Sequence, residues 1–310
     1  MKLPYTLGIT SAAFAGRQDL VEKASAIFDR MHLVPPVGRL PEKDIIAMLQ
    51  HCDAAIVGLD KITPALLQQC PRVKVISKFG VGLDNIDVAA CEQRGVRVLA
   101  AFGVNRRSVA ELTLNFMLSL IRNCYRSATS LKAGQWVKNG GRCLTEKKIG
   151  IIGVGNIGKE VIHLLQPFQC EILANDILDL DVYYAGVGAK SATKDEIFRS
   201  CDIITLHTPL TPQTQHMVTL DSLKRMKNDA FLINTARGGI VKTEDLKEAL
   251  RQQLIAGAAL DVFEVEPFYD DELLNTMNVL CTPHIGGNAQ EAVFAMGESA
   301  LNLLVNHYGR

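Results

Sequence analysis

The sequence predicts an α/β protein whose parallel sheets are covered by helices. Short apolar runs alternate with helical patterns along the whole chain. The runs in its middle are continuously apolar, as parallel strands buried on both faces are. A glycine-rich turn follows one of them and opens a helix. At 310 residues the chain is long enough for two domains.

The elements follow in order. A first strand is expected over residues 7–10, a helix over 41–51, and strands over 54–57, 73–77 and 96–99. Residues 108–123 read as a long helix. Leu112, Phe116 and Leu120, with the small Ala110, make its apolar side, and Ser108 and Glu111 have the spacing of a capping box. The polar, glycine-containing segment 134–141 after it holds the chain's one tryptophan, Trp136. Six apolar runs come next, at 149–152, 171–174, 203–206, 231–233, 255–260 and 279–281. A helix starts near Gly155 and runs through Val161 to Leu165, where Pro167 should end it. Thr243, followed by Glu244 and Asp245, reads as the capped start of another. There is no internal repeat.

Composition narrows the function classes. Hydrophobic residues make up 48% and charged residues 21%, and 33 basic side chains balance 33 acidic ones. No overall positive field invites a nucleic acid, and no apolar run is long enough to cross a bilayer. Residues 1–15 lack the charged start, apolar middle and cleavage site of a signal peptide, so a cytoplasmic protein is expected. The eight cysteines stand apart, none within four residues of another. The paired knuckles of a zinc site are therefore missing, and no metal is expected.

The sharpest local signal is Gly153-Val154-Gly155-Asn156-Ile157-Gly158. Placed between a strand and a helix, it has the setting of a dinucleotide fingerprint. Gly153 permits the tight turn, Gly155 lets the backbone approach a pyrophosphate, and Gly158 lets helix and strand pack closely. The free amides at the helix start then face the phosphates. Asp176, 21 residues beyond Gly155 and just past the next strand, is set to accept hydrogen bonds from the adenosine ribose. Its charge would repel the extra phosphate of NADP, and no basic residue follows it closely, which favours NAD.

Further segments carry a resemblance. They are Gly80-Val81-Gly82-Leu83-Asp84-Asn85-Ile86-Asp87, residues 105–111, His207-Thr208-Pro209-Leu210, Asn234-Thr235-Ala236-Arg237-Gly238-Gly239, Asp261-Val262-Phe263 ending in Glu266-Pro267, and Pro283-His284-Ile285-Gly286-Gly287. Together with the glycine turn they make the chain resemble the D-isomer-specific 2-hydroxyacid dehydrogenases, in particular the short form of the phosphoglycerate dehydrogenase branch. The resemblance implies two Rossmann-like domains. A flavodoxin-like substrate domain would be assembled from residues 1–101 and 285–310, and an NAD-binding domain from 102–284. It further implies a homodimer built through the long helix and the Trp136 arm.

Such an enzyme moves a hydride between nicotinamide and a small 2-hydroxy or 2-keto acid. The cofactor supplies the hydride chemistry. The protein must hold the carboxylate, polarise the carbonyl and exchange a proton with its oxygen. Arg237 suits the first two tasks, because a guanidinium is a planar fork that stays charged. His284 suits the third, because imidazole titrates near neutrality. Glu266 would pair with His284 and favour its charged form. Glu264 is a rival two residues earlier, but the resemblance places the relay acid directly before Pro267, leaving Glu264 dispensable for proton transfer. By the same carry-over, Lys78, Gly80, Val81 and Gly82 contact the substrate, and Val81 also borders the cofactor. Asn156 and Ile157 face the pyrophosphate and Thr208 the adenosine half. Thr235, Asp261, Arg237, His284 and Gly287 line the nicotinamide side.

The match weakens where a phosphorylated substrate would be held. The branch carries an arginine early in the loop after the second strand, and here that position is Gly58. Lys78, Arg106 and Arg107 are the basic residues that would compensate. The substrate expectation therefore divides between 3-phosphoglycerate and unphosphorylated acids such as glyoxylate or hydroxypyruvate. A group of NAD(H)-sensing transcriptional corepressors shares the resemblance. They carry long additional segments, so the expectation for this chain is an enzyme.

Overall fold

The computed structural model describes residues 2–36 and 40–309. The chain forms two compact units, one of Met1–Asn105 with Gly287–Arg310 and the other of Arg106–Gly286. Each is an α/β unit on a parallel sheet.

In the first unit the strands are β1 (Leu3–Ile9), β2 (Phe28–Leu33), β3 (Ala54–Val57), β4 (Val75–Lys78) and β5 (Arg97–Leu99). Their order is β2-β1-β3-β4-β5, and every pairing is parallel. This is the flavodoxin-like order. The alternation of side chains along β3 explains why the run is apolar throughout. Ala54 and Ile56 join a cluster with Phe14, Leu20 and Leu304, while Ala55 and Val57 join another with Leu66, Leu67 and Cys91. The helix Gln290–Tyr308 returns to this unit because its apolar face packs there. Leu301 and Leu304 sit in the β1 cluster, the Ser77 hydroxyl donates to the Ala300 carbonyl at 2.9 Å, and Tyr308 stacks on Tyr5.

The second unit holds β6 (Lys148–Ile152), β7 (Glu171–Asn175), β8 (Ala189–Ser191), β9 (Ile203–Leu206), β10 (Phe231–Asn234), β11 (Gly257–Leu260) and β12 (Val279–Cys281). Their order, β12-β11-β10-β9-β6-β7-β8, is the Rossmann order with one strand added. Consecutive residues again serve opposite faces. Ile203 and Ile233 pack on the side of the helices Arg106–Ile121 and Asn156–Leu165, whereas Leu232, Ile204 and Leu206 pack on the side of the helix Thr243–Arg251.

Several local expectations need correction. The long helix begins at Arg106, two residues before Ser108. Ser108 therefore lies inside the helix and not at its N-cap, and its hydroxyl donates to the Gly286 carbonyl. The helix at Thr243 has Lys242 as its N-cap with no capping side chain of its own; a distant carboxylate, Glu264, accepts the Thr243 amide at 2.8 Å. Two edge strands, β2 and β8, escaped the pattern. The β2 sequence, Phe-Asp-Arg-Met-His-Leu, is mostly exposed and mixes apolar with charged residues, and β8 has three residues. Among the described residues no helix is long and apolar enough to cross a membrane, and no group of His, Cys, Asp or Glu is placed to hold a metal ion.

Candidate active site

The candidate residues of the second unit cluster because all its strands run parallel. Each follows the carboxyl end of its strand, so the loops after β6, β7, β9, β10, β11 and β12 share one edge of the sheet, where ligands of open α/β folds bind.

At the glycine turn, Gly153 has φ +94°, and a Cβ there would lie 2.6 Å from the His207 carbonyl carbon. A Cβ on Gly158 would lie 2.2 Å from the Gly153 oxygen, so helix and strand meet backbone to backbone. Gly155 differs, with open space where its Cβ would stand. It is the N-cap of the helix Asn156–Leu165, and no side chain caps that end. The amides of Asn156 and Ile157 thus begin a ten-residue helix beside an open glycine, a fit for a pyrophosphate. Asp176 folds over the turn. One carboxylate oxygen accepts the Val154 amide at 2.6 Å, the other the Leu178 amide at 3.0 Å. Across from it, the Thr208 hydroxyl and His207 Nδ1 are buried without a hydrogen-bond partner. Burial drives the His207 pKa down to about 3, so the ring is neutral. Orphaned polar atoms beside an uncapped helix start suit a polar dinucleotide.

The other half of the edge holds Arg237, Glu266 and His284. Nδ1 of His284 lies 2.7 Å from Oε2 of Glu266, and Oε1 of Glu266 accepts the Phe263 amide at 3.0 Å. The hydrogen bond with Glu266 raises the His284 pKa above the ordinary histidine value against an opposing effect of burial. Burial pushes the Glu266 carboxyl up, but the hydrogen bonds from His284 and the Phe263 amide, with the charges of His284 and Arg237, outweigh it and leave the carboxyl low. The pair is therefore an imidazolium–carboxylate over a widened pH range. His284 adopts φ +55°, a left-handed conformation few non-glycine residues take.

Asp261 supports that conformation. Its side chain is buried, and its oxygens accept from the Thr282 hydroxyl, the Ile285 amide and the Gly286 amide, which fastens the turn carrying His284. Burial raises its pKa despite those donors. The carboxylate thus fastens the turn that carries His284. Thr235 is likewise engaged, its hydroxyl 3.0 Å from that of Thr113 on the long helix.

Sequence reasoning missed the groups that hold these residues. Asn234, fully buried at the end of β10, accepts the Ala236 amide and donates to the Arg237 carbonyl at 2.9 Å. A buried asparagine closing an apolar strand was the available signal. Gly238 lies flush against the Phe263–Glu264 peptide, where a Cβ would come within 1.8 Å of the Phe263 carbonyl carbon. The Arg237 segment and the Glu266 loop are thereby pressed together.

In the first unit, Gly80 (φ +116°) turns the chain after β4, followed by Val81 and Gly82. Lys78 is buried, with its ammonium on the Gly58 carbonyl and on the Asn85 side-chain oxygen at 2.7 Å. At Gly58, a Cβ would lie 3.0–3.2 Å from Ser11, so the position is too tight for an arginine without rearrangement. Gly287 leaves just enough room for the Asn105 amide, 2.8 Å from where its Cβ would stand. In the second unit, Arg107 is paired with Glu111 at 2.6 Å and Glu160 at 3.1 Å, and Arg106 also reaches Glu160.

Comparison with known proteins identifies the family of the chain. Residues 114–286, more than half of the chain, match the family described as D-isomer specific 2-hydroxyacid dehydrogenase, NAD binding domain. The chain is 34% identical over 298 residues to the hydroxypyruvate reductase of Thermotoga maritima, covering 93% of this chain and 95% of that one. It is 36% identical over 282 residues to the D-3-phosphoglycerate dehydrogenase of Methanocaldococcus jannaschii, covering 90% of this chain but only 54% of the relative, so it spans about half of that protein's length. The crystal structure of the TT0316 protein from Thermus thermophilus superposes with a TM-score of 0.84 at 28% identity, covering 98% of this chain and 97% of the other. With its two parallel α/β units, its glycine turn and these relatives, the chain belongs to the D-isomer specific 2-hydroxyacid dehydrogenase family and carries that family's NAD-binding domain.

Proposed function

We propose that the protein is an NAD-dependent oxidoreductase that interconverts a small, unphosphorylated D-2-hydroxy acid and its 2-keto acid. The observation that carries the reading is the His284–Glu266 pair on the sheet edge that also bears Arg237 and the uncapped glycine turn. Bound at that turn, NADH supplies the hydride. Arg237 holds the substrate carboxylate and polarises the keto oxygen. His284, with Nδ1 committed to Glu266, donates from Nε2 to that oxygen and takes the proton back in the oxidative direction. Glu266 keeps the imidazolium charged and fixes the ring.

Asp176 selects NAD by bonding the ribose hydroxyls and repelling a 2′-phosphate. Gly153, Gly155, Asn156, Ile157, Gly158 and Thr208 hold the rest of the dinucleotide, with Thr235, Asp261, Gly287 and Val81 toward the nicotinamide. The turn Gly80–Val81–Gly82 offers amides to the substrate, and Lys78 stiffens it. The unphosphorylated substrate is supported by the state of the basic residues. Gly58 supplies no basic side chain and its Cβ position is crowded by Ser11, Lys78 is turned onto a backbone carbonyl, and Arg107 is bound by two glutamates. A homodimer is also proposed. Trp136 is 80% exposed on this chain, beside the exposed Leu131 and Val137, and an aromatic anchor of that kind suits an interface. Sedimentation should then give twice 33.9 kDa.

The test is NADH oxidation followed by absorbance with glyoxylate, hydroxypyruvate and 3-phosphohydroxypyruvate. Turnover highest with one of the first two is the expected result. Preference for the phosphorylated acid overturns the substrate assignment. NADH binding with no oxidation of any member overturns the enzyme reading in favour of a dinucleotide sensor.

A further inference from the structure

A second histidine–glutamate pair lies beside the first. His216 Nε2 is 2.6 Å from Oε1 of Glu264, and the other oxygen of Glu264 accepts the Thr243 amide at 2.8 Å. Burial pushes the Glu264 carboxyl up, but Thr243 and His216 outweigh it and keep the carboxyl low. The backbone of His216 is itself tied down. It has φ +48°, and its amide donates to the Gly239 carbonyl at 2.8 Å. Two residues on, Val218 bridges to Val241, with Val218 donating to Ile240 and accepting from Lys242. The loop 209–218 is therefore stitched to the strip 238–243 that follows Arg237. The imidazole of His216 is its link to the neighbouring loop, 263–266.

That link ends one peptide away from the proton pair. The Phe263–Glu264 peptide is clamped between Gly238 on one side and the Glu264–His216 contact on the other. The amide of Phe263 in turn holds Oε1 of Glu266. If the Glu264 side chain lost His216, the peptide that orients Glu266 would lose one of its restraints and keep those from Gly238 and, through the second oxygen of Glu264, from the Thr243 amide. The charged groups around His216 are Glu264 and Asp245, the latter already paired with Lys242. Those around His284 are Glu266, Asp261 and Arg237.

We propose that His216 is a positioning residue which, through Glu264, holds the 263–266 loop so that Glu266 meets Nδ1 of His284. The proposal rests on the reading of His284 and Glu266 as the proton-handling pair. It also gives Glu264, expected from the sequence to be dispensable, a defined task. Neither residue exchanges a proton with substrate.

The experiment is an NMR titration of the His284 imidazole in the full-length protein, with pH profiles of keto-acid reduction alongside. In His216→Ala the His284 midpoint should fall by roughly one unit, since loss of a well-placed carboxylate partner removes a shift of about that size. The alkaline limb of kcat should move with it, while KM for NADH stays within about twofold, as expected when ground-state cofactor binding is untouched. His216→Gln, which can still donate to Glu264, should restore the midpoint. An unmoved His284 midpoint in a folded His216→Ala protein overturns the proposal, even if melting temperature drops. Should His216→Ala fail to fold, His216→Leu, which fills the space but cannot bond Glu264, is read by the same midpoint with the same two outcomes. If no keto acid is turned over, the enzyme reading falls while the titration still decides the positioning role.

Discussion

The protein carries two histidine–glutamate contacts of nearly equal length, 2.7 Å between His284 and Glu266 and 2.6 Å between His216 and Glu264. Their glutamates are two residues apart on one loop. Distance alone does not separate them; their surroundings do. His284 stands on a turn fastened by Asp261, and its pair feels the Arg237 charge. His216 stands on a loop stitched to the Gly239 strip, and its glutamate spends its second oxygen on the start of a helix. Both glutamates give their second oxygen to a backbone amide, so the neighbouring cation is what differs. On the proposed reading the pair beside Arg237 handles the proton and the other closes a brace. A carboxylate next to a histidine is thus not a proton relay until the neighbouring charges are accounted for.

The largest effect that would break this distinction is loss of the acid itself. His284→Ala should lower kcat/KM for reduction roughly 100-fold to 10,000-fold, as loss of a positioned general acid does, and remove the alkaline limb of the pH profile. His216→Ala should fall well short of that; equal losses would mean that the two histidines do the same work.

Arg237→Lys should come next. A lysine keeps the charge but not the planar two-pronged grip, so substrate KM should rise and kcat fall. The limb should stay where it is, because arginine does not titrate in this range. A limb displaced by this substitution would show that Arg237 governs the histidine's proton more than Glu266 does.

Glu266→Gln sharpens the comparison through its sign. Reduction needs the imidazolium, and the His284 pKa is raised by Glu266, so activity is present at low pH and lost as pH rises through the raised value. Removing the carboxylate charge lowers that value. The limb should move to lower pH while activity on the acidic side is largely kept. A limb that responds fully to Glu264→Gln and not to Glu266→Gln would exchange the roles of the two pairs.

The smallest effect lies away from both pairs. Asp176→Ala should narrow the preference for NAD over NADP, measured as the ratio of kcat/KM values, and leave the limb in place. Equal or better efficiency with NADP in the unmodified protein would sink the assignment of Asp176.

How much of this was legible in the chain differs by region. Buried parallel strands must be apolar on both faces, so residues 54–57 and 203–206 could be read as strands to the residue. The edge strands β2 and β8 could not, because exposed or very short strands carry no such constraint. Local glycine and capping chemistry was readable where it was truly local, as at Gly153 and Gly158. It misled at Ser108 and Thr243, where the partner lies 178 residues away at Gly286 in one case and 21 residues away at Glu264 in the other.

By itself, then, the sequence determined the α/β class and the glycine turn with its acid, each from periodicity or from motif chemistry within a few residues. Arg237, Glu266 and His284 came together as a candidate set only through the family resemblance. Tertiary structure alone decided which glutamate meets which histidine, that Asp261 and Asn234 are fasteners, and that Lys78 and Arg107 are already engaged. Those outcomes depend on loops that follow different strands and are brought together only when the sheet forms. Lone-pair and charge partners drawn from across the chain are set by strand order, and strand order is not written in any local stretch of residues.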